Sequence, residues 1–395
     1  MNSYPADWYH RLPTPVKEIF TTLQSHGHNA YLVGGSVRDF LLHKEPKDFD
    51  LVTNAKPEEI ARYFPKTVDV GRAFGIMVVV MDGMSVELAS FRKDGDYEDS
   101  RRPETIEFAS PEEDAIRRDF TMNGLFWDPQ TRTVIDFVSG MEDIRAHHIR
   151  AIGDAGKRFQ EDALRMLRAL RFYSQLEAFS LDEKILTAIS ANKERLLHVS
   201  RERITAELNL ILKSKRPSRA FAAIEKLGIL SLLFPELPLQ DWLKLDELQA
   251  EDSIIAWAYL LQNGRAPAKI LFSKEEKEAL RKVPKLLAAL NTYATLSMAE
   301  KKDLLAEKFI SIALKISTIN GNPCETAERD QIRWEHILFE PPLVTGKDLA
   351  PLGIQPGKAM GELLQEIRVM QRNEILKTKE AALDFAKKST RDERS

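Results

Sequence analysis

Two textures of hydrophobic and polar positions divide this chain. Up to residue 144 short apolar runs alternate with helical spacings. Val16, Ile19, Phe20 and Leu23 recur at helical spacing within 14–26. Tyr31-Leu32-Val33 is an apolar run that suits a short buried strand, and Gly34-Gly35 after it permits a sharp turn. Ser36 is the expected N-cap of a helix over 37–43. After a Lys/Pro turn, Asp48-Phe49-Asp50 reads as a strand, with both carboxylates on one side and Phe49 on the other. Residues 56–63 read as a helix with Pro57 at its start. Runs at 74–81 and 86–91 read as strands joined by the hairpin signal Asp82-Gly83. Ser110, Pro111 and Glu113 open a further helix as cap, first residue and capping-box partner.

Beyond residue 144 the spacing is helical almost to the end. Pro/Gly breaks interrupt it at Lys215-Arg216-Pro217, Phe234-Pro235, Gly264-Arg265-Ala266-Pro267 and Glu340-Pro341-Pro342. The polar end, 387–395, reads as frayed. No tandem repeat is present. The expected fold class is α+β: a small mixed-sheet palm at 1–144, then an all-helical neck (145–220), body (221–340) and tail (341–395).

Charge sharpens this division. The 395 residues carry a net −3 with a pI near 6.3, which excludes a uniformly basic nucleic-acid binder. Residues 145–219, however, hold 16 Lys/Arg against 9 Asp/Glu, so +7, and the rest of the chain carries −10. A local basic segment is the better footprint for a polyanion. The single cysteine, Cys324, excludes an intrachain disulfide and a cysteine zinc site. No apolar run approaches the roughly 18 residues of a membrane span, and the N-terminus lacks a signal-peptide apolar region. A cytoplasmic enzyme with no membrane association and no obligate protein partner is expected.

Candidate chemistry gathers in the same stretches. Backbone N–H groups at Gly34-Gly35, with Arg38 nearby, suit a phosphate, and Asp48 and Asp50 suit a divalent cation. Glu87 faces away from Val86 and Leu88 and is the candidate third carboxylate. Arg117 and Arg118 form a pair able to clamp a triphosphate, with Asp119 and Asn123 fixing the turn and the sugar side. In Asp136-Phe137-Val138-Ser139-Gly140, Gly140 is the expected bend and Asp136 its backbone holder. On one continuous helix over 158–172, Glu161, Arg165 and Arg168 would fall within roughly 60° of one another, with Asp162 at the edge.

Together these stretches resemble the class II nucleotidyltransferases, the branch that holds bacterial and eukaryotic CCA-adding enzymes and bacterial poly(A) polymerases. The resemblance rests on GGSVRD followed by DFD, on RRDFTMN at 117–123, and on EDALRMLRALRF at 161–172. An acidic-Tyr-acidic run before Arg101-Arg102-Pro103 is similar to the flexible loop of CCA- and A-adding enzymes. Arg203, Ile204, Glu207 and Leu208 resemble a helix-support motif. Residues 343–357 resemble the tRNA-elbow-touching tail, whose Gly346, Gly353 and Gly357 read as turns.

The resemblance implies a nucleotidyltransferase palm that uses CTP and ATP with Mg2+ to extend the 3′ end of tRNA. It implies Asp48 and Asp50 as metal ligands, Glu87 as a third catalytic carboxylate and Arg118 as a nucleotide contact. Asp162 and Arg165 would read the base, and Arg168 and Arg171 would hold the polyphosphate or order the site. Cytosine and adenine both place an amino donor beside a ring-nitrogen acceptor, whereas uracil and guanine reverse the pair. One Asp–Arg pair therefore suits the first two bases without a template. An A-adding-only enzyme, a bacterial poly(A) polymerase and a non-catalytic RNA-binding relative are the alternatives. No His-Asp pair of an appended phosphohydrolase domain is found.

Overall fold

A computed structural model describes residues 8–71, 75–94, 106–237, 241–264 and 267–392. The chain forms two compact units, whose boundary falls inside the segment expected at 221–340. One spans Met1–Glu236 with Pro267–Leu271, and the other Leu237–Ala266 with Phe272–Ser395.

The first unit opens with α1 (Trp8–Arg11) and α2 (Thr14–Ser25), whose Val16, Ile19, Phe20 and Leu23 are buried as their spacing requires. The palm continues with β1 (Ala30–Val33), α3 (Gly35–Leu41), β2 (Asp50–Thr53), α4 (Pro57–Tyr63) and β3 (Thr67–Gly71). Next come β4 (Ile76–Met81) and β5 (Met84–Ser90), then the short pair β6 (Arg92–Asp94) and β7 (Ile106–Phe108). The helix α5 (Pro111–Ile116) leads to β8 (Leu125–Asp128) and β9 (Thr133–Asp136).

Seven strands form one mixed sheet in the order β3-β4-β5-β2-β1-β8-β9. The hairpin falls where expected, with Asp82 and Gly83 both at positive φ and Met81 opposite Met84. The edge strands β3 and β9, and β8 between β1 and β9, were not anticipated. Val33, Val52, Ala89, Phe91, Ala115 and Phe126 form a core cluster on this sheet. The acidic-Tyr-acidic loop lies outside the described residues.

Several local expectations are corrected. Gly34, not Ser36, caps α3; it adopts φ 70° and ψ −131°, and Ser36 is buried and donates to the Val33 carbonyl. The strand β2 begins at Asp50, so Asp48 and Phe49 precede it. The intended sidedness survives, because Phe49 is buried beside Phe40 while Asp48 and Asp50 stay outward. The left-handed residue of the 136–140 turn is Ser139, φ 62°. Gly140 is needed for a different reason: a Cβ there would lie within 2.1 Å of the Thr121 carbonyl oxygen. Asp136 does hold this turn, accepting from the N–H groups of Val138, Gly140 and Met141.

The helical part of this unit follows as α6 (Gly140–Arg145), β10 (His148–Ile149), α7 (Ala155–Glu161), α8 (Leu164–Gln175), β11 (Ser180–Leu181) and α9 (Glu183–Asn192). It closes with α10 (Arg201–Leu212), α11 (Pro217–Lys226) and α12 (Ile229–Leu233). The single helix expected over 158–172 is broken. Asp162 is extended, φ −145° and ψ 103°, and its carboxylate accepts from Leu164 N–H.

The second unit is wholly helical among its described residues: α13 (Leu243–Leu248), α14 (Ser253–Leu260), α15 (Lys274–Asn291), α16 (Met298–Leu305), α17 (Ile310–Ile319) and α18 (Glu325–Leu338), then α19 (Gly346–Leu349), α20 (Lys358–Arg372) and α21 (Lys379–Asp392). Gly346 is the first residue of α19 rather than a turn residue, and Thr345 with Asp348 forms a capping box across it. Val344, Leu349, Met360, Ile367, Ala382 and Ala386 build the core of the last three helices. Lys302 has no exposed side-chain area and is held by Glu374 at 2.7 Å. Arg372 makes the reciprocal pair with Asp303 and also donates to the carbonyls of Ile337 and Leu338 at the end of α18.

Candidate functional site

The β1–α3 turn, the β2 start, the 117–123 segment and the helices α8 and α10 meet in one cleft of about 580 Å³ in the first unit. Gly34 lies at its wall because a Cβ there would stand 3.4 Å from an Arg118 guanidinium nitrogen and 3.8 Å from Asp50 Oδ2. Its positive φ calls for glycine.

Sheet register assembles the carboxylates. β2 and β5 are parallel and pair Asp50 with Glu87. Loss of solvent raises the Asp50 carboxyl above its ordinary range; Arg118 opposes the shift and Asp48 adds to it. Glu87 is raised in the same way, first by loss of solvent and then by Asp50. Both acids resist ionisation chiefly through loss of solvent, and a divalent cation beside them would favour their charged form. Among the described residues no group of three His, Cys, Asp or Glu closes into a full cage.

Eight arginines line the cleft. Arg117 and Arg118 both donate to Asp114, which has no exposed side-chain area. Burial disfavours the Asp114 charge, but Arg118 and Arg117 outweigh it and hold the carboxyl below its usual range. Arg168 forks onto Asp119 Oδ2 at 2.8 and 2.6 Å. Asp119 is buried, yet Arg168 and hydrogen bonds from Asn123 and Phe120 N–H bring its carboxyl down to about 2. Asn123 in turn accepts from Arg38, which is also paired with Asp39. Arg171 is held by Glu207 at 2.7 Å. Burial lowers the Arg171 pKa and Glu207 works against that.

The break at Asp162 gives the 158–172 stretch its geometry. Arg203 from α10 forks onto Asp162 at 3.0 and 2.7 Å. Glu161 instead holds Arg158 and Arg165, at 2.9 and 2.5 Å. The expected neighbours Asp162 and Arg165 thus each have another ion-pair partner, and both still line the cleft. A carboxylate offers about four acceptor sites. Arg203 and the Leu164 N–H account for three of those of Asp162, which leaves room for one further donor.

Of the residues expected from sequence, Gly34, Gly35, Arg38, Asp48, Asp50, Arg117, Arg118, Asn123, Asp162, Arg165, Arg168 and Arg171 line this cleft. Glu87 lies beside it in a smaller cavity that also contains Asp50, Arg117 and Arg118. Glu161 stands behind Arg165 as its ion-pair partner. Sequence reasoning passed over Arg92, Phe172 and Arg203 in the lining and Asp114 beneath it. Asp114 had a readable signal, since it precedes Arg117 and Arg118 by three and four residues.

Residues 30–150 match the family described as "Poly A polymerase head domain", and residues 178–240 match "Probable RNA and SrmB- binding site of polymerase A". The CCA-adding enzyme of a Geobacillus species is 36% identical over 376 residues, covering 91% of each chain. That of Pediococcus pentosaceus is 33% identical over 398 residues, covering 93% of this chain and 95% of its own. In three dimensions, the Bacillus stearothermophilus CCA-adding enzyme in complex with CTP superposes with a TM-score of 0.76 at 28% identity. That match covers 97% of this chain and 100% of the other.

Proposed function

This chain belongs to the family of CCA-adding enzymes, and we propose that it adds CMP and AMP from CTP and ATP to the 3′ end of tRNA without a template. The observation that carries this reading is the cleft, in which Asp48 and Asp50 stand among eight arginines. The 3′-hydroxyl of the tRNA attacks the α-phosphorus of the nucleotide, and pyrophosphate leaves. Arg117 and Arg118, braced by Asp114, bind the triphosphate. Arg38, Arg168 and Arg171 add positive charge, and Asn123 orients the sugar side. Asp48 and Asp50 would hold magnesium, with Glu87 supporting them. Two bound metal ions supply a lower pKa for the attacking hydroxyl and charge neutralisation on the leaving group. No protein nucleophile takes part.

Base choice falls to Asp162 and Arg165. The remaining acceptor site of Asp162 takes the exocyclic amino group of cytosine or adenine, and Arg165 donates to the ring nitrogen. The helical tail, 341–395, takes the tRNA elbow. We place the enzyme in the cytoplasm; among the described residues no helix is long and apolar enough to cross a membrane.

Incubation of the purified protein with tRNAs lacking the last three, two or one nucleotides, and with each triphosphate alone and in mixtures, tests this function. Stepwise C, C and A addition is expected. Addition of A alone to tRNA lacking only its last nucleotide would identify an A-adding enzyme instead. Long A tails on any RNA end would identify a poly(A) polymerase.

A further inference from the structure

Phe172 sits near the end of α8, is almost fully buried, and lines the cleft. Three guanidinium carbons lie within cation–π range of this single ring: Arg171 at 4.2 Å, Arg38 at 5.2 Å and Arg168 at 5.9 Å. All three arginines line the cleft. They come from different places, Arg38 from α3 and the other two from α8.

Like charges converging in this way repel: Arg168 lowers the Arg171 pKa, behind the larger effects of burial and Glu207. Asp39 pairs with Arg38 and Asp119 with Arg168, while Glu207 holds Arg171 at 2.7 Å and reaches Arg168 at 3.6 Å. Among the described residues these carboxylates join at most two of the three guanidiniums, whereas the ring lies within reach of all three. The Phe120 ring meets it edge-to-face at 5.6 Å and 81° and helps fix its orientation. Phe120 lies one residue after Asp119, two after Arg118. The ring therefore ties the clamp segment 117–120 to the arginines of α3 and α8.

We propose that Phe172 is a positioning residue for nucleotide binding: its π face holds Arg38, Arg168 and Arg171 convergent on the triphosphate before the nucleotide arrives. This rests on the nucleotidyltransferase reading above. The negative face of the ring offsets part of the mutual repulsion, so less of the binding energy is spent gathering the cations.

A shape-preserving series tests it. Phenylalanine at 172 is replaced by its mono-, di- and trifluoro analogues, which drain the ring face while keeping its outline. CTP and ATP KM, kcat, tripolyphosphate affinity by calorimetry and the thermal melt are measured for each. The logarithm of KM should rise steadily with fluorination, to about tenfold for the trifluoro ring, while kcat stays within about threefold. Tripolyphosphate binding should weaken in parallel, and the melt should move little. Phe172→Tyr should stay within about twofold of the native KM, and Phe172→Leu should match or exceed the trifluoro loss. A flat KM across the fluorinated series overturns the proposal and leaves Phe172 as core packing, even if Phe172→Leu is impaired. Absence of nucleotide transfer by the native protein would instead overturn the nucleotidyltransferase reading, and the tripolyphosphate series would still decide the role of the ring.

Discussion

Asp162→Ala is the sharpest probe of base choice. The substitution removes the acceptor proposed to meet the amino group of cytosine or adenine. It also unpairs Arg203, whose side chain is 23% exposed against 14% for Asp162. Breaking a buried ion pair costs about 3–5 kcal/mol, and partial access to water brings this pair to about 2–3 kcal/mol of stability. Loss of the Leu164 N–H bond adds about 1 kcal/mol. A hydrogen bond to a charged group is worth roughly 1.5–3 kcal/mol, so kcat/KM for CTP and ATP should fall about ten- to hundredfold. UTP should fall less, because its carbonyl no longer faces a carboxylate, and the CTP-to-UTP ratio should shrink. Arg203→Ala keeps the acceptor but frees it to rotate, so the ratio should shrink only in part. If Arg203 acts through Asp162, the double variant should be no less selective than Asp162→Ala alone. Rates for all four triphosphates on the three variants decide the matter. An unchanged CTP-to-UTP ratio in Asp162→Ala, with a lowered melting temperature, would refute base reading and leave the residue as a brace for α10.

Asp50→Asn should abolish nucleotide transfer without lowering the melting temperature, because the fold already disfavours that charge; added magnesium should raise the melt of the native protein and not of the variant. Asp119→Asn should lower stability at neutral pH by about 2 kcal/mol, since a carboxyl brought from 3.8 to about 2 stabilises the fold at every pH above its unfolded value. That stability is lost as pH falls from about 4 towards 2, so urea titrations of the two proteins should converge at the acid end. Glu374→Gln should lower the melting temperature of the second unit, because it leaves the fully buried Lys302 only a neutral acceptor; CTP KM should be unchanged, and tRNA affinity at fixed salt should fall. Removing everything after Glu340 takes away Glu374 and Arg372 together, so a loss of tRNA affinity on truncation would mix binding with stability, and the point variant separates them.

What could be read from the chain alone was whatever neighbouring residues decide among themselves. Gly34 at its turn, the Asp82-Gly83 hairpin, the Ser110–Glu113 capping box and the Asp136 turn are settled within a few residues by backbone sterics and local hydrogen bonds. The Asp48/Asp50 pair and the arginine spacing were legible for the same reason. Tertiary structure decided the partners. Asp162 meets Arg203 41 residues on, Arg168 meets Asp119 49 residues back, and Asp50 meets Glu87 through a parallel register that no hairpin implies. It also overrode local periodicity: the helical spacing runs unbroken from 158 to 172, yet Asp162 leaves the helix at the end of α7, accepts from Leu164 N–H and pairs with Arg203. A period of 3.6 records which face is apolar, whereas a charge going into a cleft settles where its counter-charge waits, and only the folded chain brings the two together.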